Sequence, residues 1–521
     1  MNIWDKLFRR KDQKFNKHDW LILGGGLAAF IAISLGNITR WSIWFDEAFS
    51  VYLTRFSFTD ATYYTAVDVH PPLYYWLLKI WQAMFGNSEL ALRSMSLVFV
   101  VVAMVFVYLL IRKMFDRRAA GWTMLFMVLS PMLVRYSEEA RMYGLLMAIV
   151  AAATYVLVNA TEKSTRAKWI TYGVLVSLGM WTHYFTALIW LAHWAWRYIS
   201  VRTGKRAKTR KAFFSREWIL AHVVAIALFL PWLPVMLKQM LGIQATGFWI
   251  SPVSIMTPFN FISNLFTYRE NWEMVGWFAL LGTALIALLT YLFVKTVASL
   301  KGKQKSYFQL LMAISLVPVL LLIVLSLPPL RPAFVERYLL AALPFWSALF
   351  GVAIAYGLSK KETIFAGKVT AALLVVAMIS GIAHVYNTGN YNKNNGDYLP
   401  IRQTMRELQR LSSEGQPTLT TAYGFYEIHY YGTDRNPVYF DNGTIRDWGS
   451  MEMIKNSDYR KVEDVEAFAR SNGGKIWYIG SWKKSNPGMP SSGKWKVLRS
   501  VNASEVQDDQ EVIRAVEIEL Q

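Results

Sequence analysis

The sequence predicts an all-α polytopic membrane domain followed by a small soluble α/β domain. Three observations predict it: apolar residues gathered into long blocks, basic residues concentrated in alternate loops, and an abrupt change of composition near residue 386. Of the 521 residues, 54% are hydrophobic and only 17% are charged, which excludes a single soluble domain.

From Trp20 the apolar spans read 20–39, 94–112, 119–134, 142–159, 169–182, 184–199, 218–237, 274–294, 307–327, 338–357 and 369–386. They number about eleven, and several approach the ~20 residues that a hydrocarbon core requires. Loops 1–19, 112–118, 161–168, 201–216, 295–305 and 358–368 are rich in lysine and arginine, which makes them cytoplasmic. The net charge of +20 follows from these loops and calls for no nucleic acid partner. Loops 40–93, 135–141, 238–273 and 328–337 are richer in Trp, Tyr, Pro and carboxylates and face outward. The apolar stretch 169–199 can be one tilted helix or two short ones around Thr182-His183-Tyr184. Basic loops on both flanks require an even number of crossings, hence two. An odd total then leaves the N-terminus cytoplasmic and the tail extracytoplasmic in a multi-pass cell-membrane protein.

Residues 1–386 thus form the membrane domain, with a long first outer loop at 40–93, and 387–521 the outer soluble domain. The absence of cysteine excludes disulfides and thiolate metal sites. The N-terminal apolar run is too long for a signal-peptide core and reads as a retained helix. After the turn-rich stretch NTGNYNKNNGDY, the tail shows helical periodicity at Ile401, Met405, Leu408 and Leu411, then strand-like runs KIWYIGSW and KWKVLRS. It holds no glycine-rich phosphate loop and no nucleophile elbow, so a supporting, shielding or acceptor-binding role is expected.

Four motifs carry candidate chemistry. Asp46 and Glu47 follow the first span in WFDEAF. Asp46 can simply N-cap the helix DEAFSVYLTR, with Glu47 favourable in its first turn, or a carboxylate there can act as general base toward an attacking hydroxyl. In DVHPPLYYW, the two prolines force an extended entry into a helix that starts at Pro71 or Pro72. Asp68, His70 and Tyr74 are its site candidates. The first outer loop is expected to hold two short interfacial helices.

The third motif, RYSEEARMY, places Arg135, Glu138, Glu139 and Arg141 between two apolar spans, as a solvated turn with local ion pairs or facing a wet cavity. Arg141 is its candidate phosphate ligand, being permanently cationic. In the fourth, FVERY, Arg337 and Tyr338 stand at the outer end of a span, where the arginine can snorkel to lipid headgroups or clamp a phosphate. His183 is a further candidate, read more simply as a loop residue, and no HExxH motif is present. A divalent cation on a carboxylate cluster stays possible.

FDEAFS, HPPLYYW, YSEEARMYGL and FVERYLL, in this order and spacing, resemble the GT-C type integral-membrane glycosyltransferases. The similar branch is that of protein O-mannosyltransferases and lipid A aminoarabinose transferases, glycosyltransferase family 39-like. The resemblance implies transfer of a monosaccharide, with inversion, from a polyprenyl-phosphate carrier to a protein, glycolipid or cell-wall acceptor hydroxyl on the extracytoplasmic face. It makes Asp46 the base and Glu47 the group that orients Asp46 or the acceptor. It gives His70, Arg141, Arg337 and Tyr338 to the donor phosphate. Some relatives have an acidic-Lys-Pro sequence where this chain has Val69-His70-Pro71, so a relative-like metal site is in doubt and a phosphate role for His70 requires its protonation. The competing classes are a transporter or flippase of a lipid-linked sugar and an oligosaccharide ligase.

Overall fold

The computed structural model describes residues 15–203, 213–246, 250–268, 276–388, 401–446, 449–455, 460–483, 486–487, 489–490, 492–501 and 512–521. Residues 1–14, most of the basic loop 201–216 and residues 389–400 of the joining stretch lie outside them.

The first helix, α1 (Lys17–Leu35), starts at a reciprocal cap. The Asn16 side chain accepts the Asp19 N–H at 3.1 Å, and the Asp19 carboxylate accepts the Asn16 N–H at 3.1 Å. Three helices rather than two then fill the long loop 40–93: α2 (Phe45–Leu53), α3 (Phe58–Val67) and α4 (Leu73–Phe85). The unexpected one is α3, opened by a Ser57 cap on the Asp60 N–H at 3.1 Å. Pro72 stands just outside α4, so that helix starts one residue later than expected.

The long helices α5 (Glu89–Met114), α6 (Arg117–Val128), α7 (Pro131–Ser137), α8 (Tyr143–Glu162), α9 (Arg166–Thr182) and α10 (Thr186–Thr203) follow. The stretch 169–199 is therefore broken at His183-Tyr184-Phe185 into two helices. Next come α11 (Arg216–Phe229), α12 (Leu233–Thr246), α13 (Thr257–Thr267), α14 (Trp277–Ser299) and α15 (Gly302–Val324). A 3₁₀ turn at Glu336–Ala342 leads into α16 (Leu343–Gly357), and α17 (Ile364–Thr388) completes the bundle.

Among the described residues, eight helical runs are long and apolar enough to cross a membrane. The pair α6 and α7 forms a ninth if its 59° bend lies within one crossing. The two other expected spans are occupied by α9 and α10, of 17 and 18 residues. The chain is a multi-pass membrane protein. The bend falls at Ser130-Pro131, where the proline pushes its predecessor out of the helical region.

Lipid-embedded helices gain little from apolar burial against one another, so close backbone approach replaces it. A Cβ on Gly144 of α8 would stand 2.6 Å from the Ser96 carbonyl oxygen of α5, and one on Gly351 of α16 would stand 2.5 Å from the Thr123 backbone nitrogen of α6.

The C-terminal region begins with α18 (Ile401–Leu411), which buries Ile401, Met405 and Leu408 as its periodicity predicts. A seven-stranded mixed sheet follows, with β1 (Thr418–Thr421), β2 (Val438–Asp441), β3 (Lys461–Val462) and β4 (Lys475–Lys483) parallel in the order β3-β2-β1-β4. Short β5 (Asn486–Pro487) pairs with β4. On the other edge, β6 (Trp495–Val501) and β7 (Val512–Leu520) continue antiparallel in the order β4-β7-β6. Between β1 and β2 lies α19 (Phe425–Tyr431), and it packs on α2. Phe45 stacks on Tyr423 at 4.7 Å, and Tyr52 meets Tyr426 at 5.0 Å. The Tyr431 hydroxyl receives the Ile43 N–H at 2.7 Å. Arg402 donates to the Thr39 and Arg40 carbonyls at 2.8 Å each.

Candidate active site

The site is built around the first turn of α2. Trp44, not Asp46, occupies the capping position, and its N–H is received by the Glu47 carboxylate at 3.4 Å. Asp46 sits one residue inside the helix, where the positive end of the helix dipole favours its charge. Its carboxylate meets Arg337 of the 3₁₀ turn at 3.2 Å, and both side chains keep roughly a tenth of their surface exposed, at 13% and 11%.

Arg141 comes from the turn before α8. Ser96 of α5 holds that turn through the Glu139 carbonyl at 2.6 Å and the Arg141 carbonyl at 3.1 Å. The guanidinium donates to the Asp46 backbone carbonyl at 3.2 Å, to Ser50 Oγ at 3.0 Å and to the Tyr75 hydroxyl at 3.3 Å. Its Nε is buried with no hydrogen-bond partner among the described residues. Burial opposes the charge of Arg141, yet neighbouring Tyr75 and Asp46 hold its pKa well above the usual arginine value.

Histidines line the next wall. Asp68 lies 3.3 Å from His70 Nδ1, at the turn between α3 and α4. Burial pulls the His70 pKa below the usual histidine value despite Asp68, so the ring is neutral at pH 7. With the proton on the nitrogen facing Asp68, Nε2 is a hydrogen-bond acceptor. His183, at the break between α9 and α10, shows the opposite polarity. Its Nδ1 receives the Phe185 N–H at 3.3 Å, which leaves Nε2–H as a donor. Burial also keeps this ring neutral. The two imidazoles lie 6.1 Å apart, and His183 is 5.3 Å from Tyr338, which stacks on Phe185 at 4.6 Å.

Asp46, Asp68, His70, Arg141, His183, Arg337 and Tyr338 therefore converge, whereas four other candidates turn into the packing behind them. The Glu47 carboxylate is fully buried and held by Arg93 at 2.7 and 2.8 Å and by the Ala140 N–H at 2.8 Å. The Asn37 amide donates to the Glu138 carboxylate at 2.7 Å, and burial pushes the pKa of Glu138 up to about 8. Glu139 pairs with Arg135 at 2.9 Å. That last pair is local, as a turn would make it, but it is buried rather than solvated. Tyr74 is fully buried. Ser50 and Tyr75, which hold Arg141, and Arg93, which holds Glu47 behind the site, are residues that sequence reasoning missed. For Arg93 a signal existed, because an arginine in the opening turn of a long apolar helix demands a partner. Among the described residues, no group of three or more His, Asp or Glu is placed to hold a metal ion. The Asp46 carboxylate is paired with a guanidinium, that of Arg337.

A bundle of membrane helices followed by a small C-terminal sheet region is the GT-C, ArnT-like fold. Residues 69–234 match the family model of dolichyl-phosphate-mannose-protein mannosyltransferases. A curated relative is the undecaprenyl phosphate-alpha-4-amino-4-deoxy-L-arabinose arabinosyl transferase of Pseudomonas savastanoi pv. phaseolicola, 27% identical over 166 residues. That alignment covers 31% of this chain and 30% of the relative. Over nearly its whole length the fold is similar to ArnT from Cupriavidus metallidurans, with a TM-score of 0.59, 12% identity and coverage of 94% and 98% of the two chains. The structure of that protein bound to undecaprenyl phosphate matches with a TM-score of 0.57, 12% identity and coverage of 96% and 98%. The sequence matches thus cover only part of the chain, and the structural matches show a shared fold over nearly all of it.

Proposed function

We propose that this chain is an inverting glycosyltransferase that moves a monosaccharide from a polyprenyl-phosphate carrier to an acceptor hydroxyl at the extracytoplasmic surface. The observation that carries the proposal is Asp46 held against Arg337, with Arg141 on its own backbone carbonyl. A proton acceptor and two cations thus meet at one partly exposed point of the membrane bundle.

In the reaction, Asp46 takes the proton of the acceptor hydroxyl as that oxygen attacks the anomeric carbon. The bond from the anomeric carbon to the phosphate oxygen breaks on the opposite face, and the polyprenyl phosphate leaves with the bonding pair. Its growing negative charge is matched by Arg141 and Arg337, preorganised cations in a largely dry site. Arg337 would exchange part of its contact with Asp46 for the phosphate, freeing the carboxylate to accept a proton. His183, with Nε2–H available, is a neutral donor to the same phosphate. His70, with Nε2 as acceptor, suits a hydroxyl of the acceptor or sugar better than a phosphate oxygen. Tyr338 completes the wall, and Glu47 acts as a positioning residue that fixes α2.

The same reading divides the chain into a membrane domain to about residue 386 and an extracytoplasmic α/β domain beyond it, with the N-terminus cytoplasmic. The alternate basic loops support this orientation. A structural relative with undecaprenyl phosphate bound supports a polyprenyl-phosphate donor. Incubating the purified full-length protein with a panel of polyprenyl-phosphate monosaccharides and candidate acceptors, with mass spectrometry of the products, tests the proposal. One donor should yield product one sugar residue heavier. Transport of the lipid-linked sugar across vesicles without transfer from any donor would overturn it.

A further inference from the structure

A cavity of about 620 Å³ lies between α2, α4, the start of α5, and helices α18 and α19 of the C-terminal region. Its size falls within the ~300–1,000 Å³ typical of small-molecule sites. Its α2 lining is Ala48, Val51 and Tyr52, which at 3.6 residues per turn lie on the face away from Asp46 and Ser50. The helix itself therefore stands between this cavity and the reacting atoms.

The lining is aromatic and cationic together. Tyr52, Tyr426 and Tyr430 contribute rings, and Tyr52 already carries the Arg55 guanidinium at 5.4 Å from its ring centre. Of the three arginines, Arg402 is paired with Glu89, the one acidic side chain of the lining. Arg55 donates to the His429 ring, which burial keeps neutral by pushing its pKa down to about 4. Exposed Arg406 has no ion-pair partner among the described residues. Two positive charges are thus left without a counter-charge. Asn87 uses its side-chain oxygen for Gln82, and Gln409 uses its amide nitrogen for the Tyr431 carbonyl. One polar end of each amide remains for a ligand.

We propose that this cavity binds an anionic saccharide, and that this saccharide is the remote part of the acceptor; the second half rests on the transferase reading above. Tyrosine faces suit the C–H faces of pyranose rings, while the amides and guanidiniums match ring hydroxyls and a carboxylate or phosphate substituent. Binding energy gathered away from the reacting hydroxyl holds it against Asp46 and contributes to the rate. The C-terminal region is then a specificity element, because α18 and α19 supply most of the ligand-reading groups.

Isothermal titration of the full-length protein in nanodiscs tests this with three probes: trigalacturonate, maltose phosphate and neutral maltotriose. At least one anionic probe is expected to bind saturably, with maltotriose at least tenfold weaker, and the better anionic probe shows whether carboxylate or phosphate is read. Arg406→Ala, at an exposed position that leaves folding intact, should weaken the anionic probe more than tenfold, whereas Asp46→Asn should not change it. Failure of both anionic probes, or equal binding by wild type and Arg406→Ala, overturns the site. If the saccharide binds as expected but no donor supports transfer, the site stands and the transferase reading falls. Wild-type acceptor KM in Arg406→Ala, with transfer intact, removes the acceptor role.

Discussion

Two adjacent carboxylates in one helical turn have opposite surroundings. Glu47 faces the bundle, wholly buried, with the Arg93 fork on both its oxygens and a backbone N–H besides. Asp46 faces the candidate active site, partly exposed, with a longer contact to Arg337. A charge pair with every lone pair occupied fixes a backbone; a charge pair with room beside it can open for a substrate. The difference separates structural from chemical acidity more clearly than residue type does.

Breaking the structural side should have the largest effect. Arg93→Met leaves the Glu47 carboxylate buried without its partner and should cost about 3–5 kcal/mol of stability. Thermal unfolding in detergent measures this, and a midpoint close to wild type would erase the distinction between the two carboxylates. On the active-site side, Arg141→Ala and Arg337→Ala should each weaken donor binding by ~10- to 100-fold, the worth of a charged hydrogen bond of about 1.5–3 kcal/mol. Titration with polyprenyl phosphate reads this, and unchanged affinity in both variants would remove the phosphate clamp.

The smallest effect concerns pH. Glu138 and Glu427 are each pushed by burial up to about 8, from an ordinary value of 4.5. Between those limits the folded state keeps protons that the unfolded chain has lost. Stability from these groups is therefore complete below about pH 4.5 and lost as pH rises through 8. The double variant Glu138→Gln, Glu427→Gln should flatten thermal stability across that window, and an unchanged slope would contradict the burial of both groups.

Much of the fold is legible in the sequence because lipid imposes a length and a composition on each crossing. The break at His183 follows from loop charge alone, and α18 follows from its apolar period. The third loop helix is not legible, because FTDATYYTAV mixes aromatic and polar residues without an apolar stripe, and its Ser57 cap is a weak signal. Within the site, Asp46, Arg141 and Arg337 are each visible as costly charges beside apolar spans. What the sequence does not show is pairing: Glu47 finds Arg93 and Asp46 finds Arg337, across 46 and 291 positions. Neighbours so alike in sequence diverge only when the helix turns one of them inward.

Single-turnover transfer by Asp46→Asn, with donor binding measured on the same sample, tests that divergence most directly. The amide keeps the shape and loses the base, so transfer should fall by about 10²- to 10⁴-fold while thermal stability stays near wild type. Transfer at the wild-type rate with donor bound would show that Asp46 is not the proton acceptor.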